Sequence, residues 1–159
     1  MEYNLQKILR NKIINANKEL VFVCIGTKEI LGDSFGPLVG TYLKENSKFK
    51  IYGDIENNIC TKRDIKHIYK KIKNKNIIAI DSAVSNTVNI GEIFITNNKC
   101  KIGRGINNYK GSIGDITIKA VVAKKEENMY VTIENLKRVD YKFVRNLAET
   151  VGQIICNSI

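Results

Sequence analysis

The sequence predicts an α/β domain built on a mainly parallel sheet, and three observations predict it. Two runs, "VFVCIG" (21–26) and "NIIAID" (76–81), are almost continuously apolar, as strands buried on both faces of a parallel sheet must be. Other stretches carry apolar residues every three or four positions, the spacing of a helix with one buried stripe. The two kinds of segment alternate along the chain, the order that packs helices against a sheet of parallel strands.

Each element has its own signal. The start, "MEYNLQKILRNKII", is amphipathic and lacks the uninterrupted apolar segment of a secretion signal. After the strand Val21 to Ile25, the segment Ser34 to Lys44 places Phe35, Leu38, Val39, Tyr42 and Leu43 on one helical stripe. Pro37 falls in its first turn, where a missing N–H does no harm. "FKIYGDI" is a second strand candidate, and "TKRDIKHIYKKIK" puts Ile65, Ile68, Tyr69 and Ile72 on one helical face behind Thr61 as N-cap. "NIIAID" is the next buried strand. "GEIFIT", "GDITIKAVVA" and "MYVTIEN" are short and β-branched, separated by Gly and Asn turns, and read as strands. A last helix from about Asp140 carries Phe143, Val144, Leu147, Val151, Ile154 and Ile155 in register. Glycine and asparagine break up "TNNKCKIGRGINNYKGSIGD", which reads as a long surface loop of functional character.

Length and composition bound the function. A chain of 159 residues without repeat or linker suits one domain, residues 1–159. No stretch approaches the roughly 18 apolar residues that cross a bilayer, so the chain is expected inside the cell, in the cytoplasm, away from membranes. Cys24, Cys60, Cys100 and Cys156 lie far apart without zinc or redox spacing and read as reduced thiols. The formal charge of +10 comes mostly from lysine scattered among asparagine and isoleucine. Arginine is sparse and no recognition-helix, aromatic-sheet or zinc-finger signature occurs, so nucleic acid is not an expected partner. A basic face can equally attract an acidic protein.

The loop after the first strand raises the functional question. A phosphate-binding loop needs four residues between its glycines, then Lys and Ser or Thr. Here Gly26 and Gly32 are separated by five residues and are followed by Asp33 and Ser34. A carboxylate in the lysine's place repels phosphates, so no nucleotide is expected. Asp33 and Asp81 instead both follow buried strands, and in open α/β sheets the ligand crevice lies beyond the carboxyl ends, where strand order reverses. If the first and third strands flank that reversal, the two acids face each other. Such a pair either shares a proton or holds a divalent ion, and either arrangement activates water. The plainer readings are Asp33 as an N-cap of the following helix and Asp81 as a strand-end turn residue.

The stretches "VCIGTKEILGDSFGPLVG", "IIAIDSAVS" and "IGDITI" resemble the YyaC-like sporulation proteins of spore-forming Firmicutes, over nearly the whole chain from Val21 onward. That family is similar to the spore germination protease and, more distantly, to the nickel-hydrogenase maturation endopeptidases. The resemblance implies a three-layer α/β/α sandwich around a twisted sheet. It also implies a sporulation-associated peptidase in which Asp33 matches the acidic residue after the glycine loop and Asp81 the second acid. Asp33 and Asp81 are then the catalytic candidates, and the metal-contacting pair if a divalent ion is the cofactor. The maturation enzymes add a histidine in a later loop, but "YKGSIGD" has none, which disfavours nickel.

Other departures and candidates follow from the same match. Lys28 stands in "GTKEILGD" where YyaC-like chains commonly read "GTDRSTGD". Cys60 lies where relatives tend to carry histidine, and as a lone thiol it reads as a packed residue. His67 falls off the Ile65, Ile68, Ile72 stripe and reads as solvated. Candidate substrate-binding positions are the backbone N–H groups near Gly26 and Thr27, Gly32, Ser34 and Ser82 beside the acids, and Asp115 as a third carboxylate or a turn residue. The expected partner is a protein or peptide, including an acidic spore protein. The alternative is a non-enzymatic spore-assembly protein that keeps the peptidase fold and binds an acidic partner.

Overall fold

The computed structural model describes residues 2–14, 17–103 and 110–159. In chain order the elements are α1 (Glu2–Ile14), β1 (Leu20–Cys24), α2 (Phe35–Asn46), β2 (Lys50–Tyr52), α3 (Lys62–Ile72), β3 (Asn76–Ser85), β4 (Ile93–Thr96), β5 (Cys100–Lys101), β6 (Ser112–Ile113), β7 (Ile116–Lys124), α4 (Met129–Lys137) and α5 (Tyr141–Ser158). Five strands form the main sheet in the order β2-β1-β3-β7-β4. All pairs are parallel except the edge pair β4–β7.

Side-chain alternation along β1 and β3 divides the core in two. Phe22, Cys24, Ile78 and Ile80 point to one face, where they meet Leu9 of α1, Val39 of α2 and Val151 of α5. Val21, Val23, Ile77 and Ala79 point to the other, where Ile65, Ile68 and Ile72 of α3 cover them. Both faces of these strands are therefore dry, which is why their sequences are continuously apolar. The result is the expected α/β/α sandwich, with α1, α2, α4 and α5 on one side of the sheet. On the other side a single helix shares the layer with the β5–β6 hairpin.

Local chemistry explains the helix boundaries. Thr61 and Asp64 form a reciprocal capping box that opens α3. Asp140 caps α5 by accepting the Lys142 N–H.

Two sequence expectations are corrected. "MYVTIEN" is not a strand but the body of α4. The Asn128 side chain accepts the Tyr130 N–H at its start, and Thr132 and Leu136, one helical turn apart, are its buried residues. This packing overrides the β preference of Val131, Thr132 and Ile133. The segment 96–115 is also more than a surface loop: Cys100, Ile102 and Ile113 are buried in the second core, and β5 pairs with β6. Its residues 104–109 lie outside the described residues.

Helix α2 crosses the end of β1 at very short range because it presents glycine there. A Cβ on Gly36 would lie 2.0 Å from the Ile25 carbonyl oxygen, and one on Gly40 2.0 Å from that of Gly53. Replacing Gly36 with Ala should therefore push α2 off the strand and destabilise the fold by about 1–3 kcal/mol, the usual cost of overpacking. Urea unfolding followed by circular dichroism should show a lower midpoint with an unchanged slope; an unchanged midpoint would contradict this packing.

Candidate active site

The site begins where β1 stops pairing with β3. The last register pair is Cys24 with Ile80, after which the Ile25 N–H donates to the Ile80 carbonyl at 2.7 Å. Strand β3 continues from Asp81 to Ser85 paired with β7 alone. Because β2 lies on one side of β1 and β3 on the other, this is the reversal point of strand order. The condition on which the two acids were expected to meet is thus fulfilled.

Alternation then sends consecutive residues of β3 to opposite faces. Asp81 points toward the hairpin side, opposite Lys119 in the β7 register. Its Oδ2 lies 3.4 Å from Lys119 Nζ and accepts from the Cys100 thiol at 3.4 Å, while the residue as a whole is only 7% exposed. Ser82 points the other way, and its hydroxyl donates to Asp33 Oδ1 at 3.2 Å. Asp33 Oδ2 accepts the Thr27 N–H at 3.2 Å. Asp33 and Asp81 open on one cavity of about 810 Å³, which Gly26, Cys60, Ser82 and Lys119 also line.

Asp33 is not a helix cap. A 3-10 turn, Leu31–Ser34, precedes α2, and no side chain caps either element. The chain bends into this turn at Gly26, whose φ of +139° and 2.0 Å clearance to the Asp33 carbonyl admit only glycine.

The other sequence candidates distribute as follows. The Gly26 N–H donates to Ile59 and the Thr27 N–H to Asp33, so neither is free to hold a substrate. Gly32 lies against Leu136, 2.8 Å from where its Cβ would be, and is a packing glycine for α4. Ser34 is buried and donates to the Leu31 carbonyl at 2.6 Å instead of orienting an acid. Asp115 sits at the opposite end of the sheet, where its carboxylate accepts the Ile77 N–H at 2.9 Å and closes the start of the β3–β7 pairing. That corrects its place among the substrate-binding candidates, since parallel strands begin together and end together. Lys28 is exposed and lines no part of the cavity, and His67 is exposed on α3. Cys60 is half-buried and faces the cavity.

Sequence reasoning missed Lys119, Cys100 and Lys110. Lys119 had a signal: a lone charge within "ITIKAVVA", an otherwise apolar strand. Cys100 and Lys110 had none, because the segment holding them read as loop.

The electrostatics are those of two acids that line one cavity and are largely withdrawn from water. Burial, then the neighbouring Asp81, pushes Asp33 up to about 7, against the pull of Ser82, Thr27 and Lys110. Burial also raises Asp81, opposed by Lys119 and the Cys100 thiol. The Cys100 thiol is itself raised by burial and by Asp81. Burial pulls Lys119 down, but Asp81 and Cys100 together hold it above its ordinary value. Burial thus favours the protonated form of both carboxyl groups, against the opposing pull of Lys119 on Asp81 and of Ser82 and Thr27 on Asp33.

This sheet order, layer arrangement and crevice define a hydrogenase-maturation-protease-like fold. Over 95% of this chain and 97% of the other, the structure superposes with a TM-score of 0.65 on the [NiFe] hydrogenase maturation protease HycI from Thermococcus kodakarensis KOD1, at 16% identity. The chain belongs to the family described as "Protein of unknown function (DUF1256)", whose pattern matches residues 1–154. It is also 30% identical over 155 residues to the "Uncharacterized protein YyaC" of Bacillus subtilis (strain 168), covering 94% of this chain and 74% of that protein.

The raised Asp33 carboxyl has a consequence for stability. Between the unfolded carboxyl range near pH 4 and its folded value of about 7, the folded state binds more protons than the unfolded one. Ionisation of Asp33 thus lowers stability as pH rises through that window. Asp33→Asn removes the ionisation, so its stability relative to wild type should climb with pH by up to roughly 1.4 kcal/mol per unit across the window and level off above it. Urea midpoints measured at intervals from pH 4 to 8 check this; a pH-independent difference would mean that Asp33 titrates normally.

Proposed function

We propose that this protein is a peptide-bond hydrolase in which Asp33 and Asp81 act as a proton-sharing pair. The observation that supports this best is their common opening on one cavity at the strand-order reversal, with Asp33 poised near neutrality. Lys119 at 3.4 Å biases the shared proton away from Asp81. Asp81 then takes a proton from a water molecule whose oxygen attacks the amide carbon, while Asp33 donates its proton to the carbonyl oxygen. On collapse of the tetrahedral diol the C–N bond breaks, the proton held by Asp81 passes to the departing amine, and one diol hydroxyl returns its proton to Asp33 as the carbonyl reforms. Ser82, by donating to Asp33, orients that acid.

The residues present fit this better than they fit a divalent ion. Among the described residues no three His, Cys, Asp or Glu side chains are arranged to hold a metal, and the Lys119 ammonium occupies the charge position that a metal would need beside Asp81. No step is assigned to a metal. The motif resemblance to the germination protease makes spore proteins the first substrates to examine.

Cleavage of such proteins and of a proteome-derived peptide library, read by mass spectrometry of new termini, tests the proposal. Asp33→Asn and Asp81→Asn should each lower the rate by about 100-fold or more. In the wild type kcat/KM should fall above pH 7 as Asp33 loses its proton, and fall again in acid as Asp81 gains one. Lys119→Met should move the acidic limb to higher pH, because Asp81 loses the charge that opposes its protonation; Lys119→Arg should restore it. Cleavage that persists unchanged in both Asn variants removes the pair from the chemistry.

A further inference from the structure

The cavity at the carboxylates has two unlike walls. On the α4 side the apolar Ile30, Val84, Ile133 and Leu136 line it, and Lys125, just after β7, also borders the cavity. On the hairpin side stand Lys99, Lys101, Lys110 and Lys119. Lys119 pairs with Asp81, and Lys110 acts on Asp33 and Cys60 through space. Lys99 and Lys101 are exposed and form no ion pair with a carboxylate among the described residues. They flank Cys100, whose burial beneath Asp81 fixes this strand of the hairpin against the sheet, so the two ammonium groups are carried on an anchored element.

We infer that the cavity selects an extended peptide with apolar side chains on one side of the point facing Asp33 and Asp81 and carboxylates on the other. This rests on the peptidase reading for what happens to the peptide, though not for its binding. Lysines with no internal partner around two carboxylates give the hairpin wall a net positive field, which recruits anionic residues and repels basic ones. The opposing wall takes leucine-sized groups out of water. Nucleic acid suits the site less well: among the described residues the lining has no arginine and only Phe94 as an aromatic ring on which a base could stack.

The test uses fluorescein-labelled octapeptides and anisotropy, independent of cleavage. The probes are Gly-Leu-Leu-Leu-Glu-Glu-Glu-Gly, its Glu-to-Gln and Leu-to-Ser counterparts, and an oligothymidylate of the same length. The Leu/Glu peptide should bind at least about tenfold more tightly than either counterpart at low salt, and its advantage over the Gln peptide should shrink as salt is added. Lys99→Glu/Lys101→Glu should abolish preference for Glu over Gln, and Lys99→Gln/Lys101→Gln, which disturbs the fold less, should weaken it. Ile133→Ser should reduce the preference for Leu over Ser. Equal affinity for the Glu and Gln peptides, a preference that survives both lysine variants, or tighter binding of the oligothymidylate would overturn the inference. A Leu/Glu peptide that binds selectively and is never cut would uphold it while removing the peptidase reading; indiscriminate cutting without selective binding would do the reverse.

Discussion

The site depends on one difference in strand length. Strand β3 outruns its partner β1 beyond the Cys24–Ile80 pair, and the chain leaving β1 must turn back over the notch this creates. That turn delivers Asp33 to the flank of Ser82, while alternation sends Asp81 through to the other face beside Lys119 and Cys100. A one-residue slip of β3 would reverse the pattern, carrying Asp81 toward the α2 and α5 core and Ser82 toward Lys119. Register between two apolar strands therefore controls polar chemistry at their ends.

The three acids that reach the interior are treated differently. Asp54 is buried too, yet it pairs with Lys44 and accepts the N–H groups of Glu56 and Asn57. Burial pushes it up, but these partners win and hold it below the ordinary carboxylate range. Asp33 has two hydrogen-bond donors and a like charge nearby, so burial wins there. Asp54 thus closes a turn at little electrostatic cost, whereas the crevice acids keep a charge conflict that a purely structural site would have relieved. Such unrelieved conflict within a cavity is the usual mark of acid–base chemistry.

The fold is shared with HycI at 16% identity, and topology alone assigns no chemistry to the mouth of the sheet. Here the mouth carries Lys119 on β7 and a hairpin rich in lysine, with no histidine among the described cavity residues. Those side chains, more than the topology, set the charge and hydrogen bonding of the crevice.

Much of this was legible in the sequence for simple reasons. Continuous apolar runs marked β1 and β3 because both faces of a central parallel strand are dry, and the acids at their ends marked the crevice because strand ends point at the switch point. Thr61 was readable as a cap because capping is a local interaction. The stretch "MYVTIEN" misled because its β-branched residues carry only a weak preference, while contact with β7 and the turn before α2 decided the helix. Nothing local could reveal that the Gly26 and Thr27 N–H groups are already used, that Ser34 turns to Leu31, or that Asp115 lies at the far end of the sheet. Nor could it bring Lys119 and Cys100 to Asp81, since these contacts join residues distant in sequence. The sequence alone determined which segments must be buried and where acids would emerge, because burial and capping act over a few neighbouring residues. Only the tertiary structure decided what each acid meets, because charge interaction depends on distances in space that strand register, not sequence separation, sets.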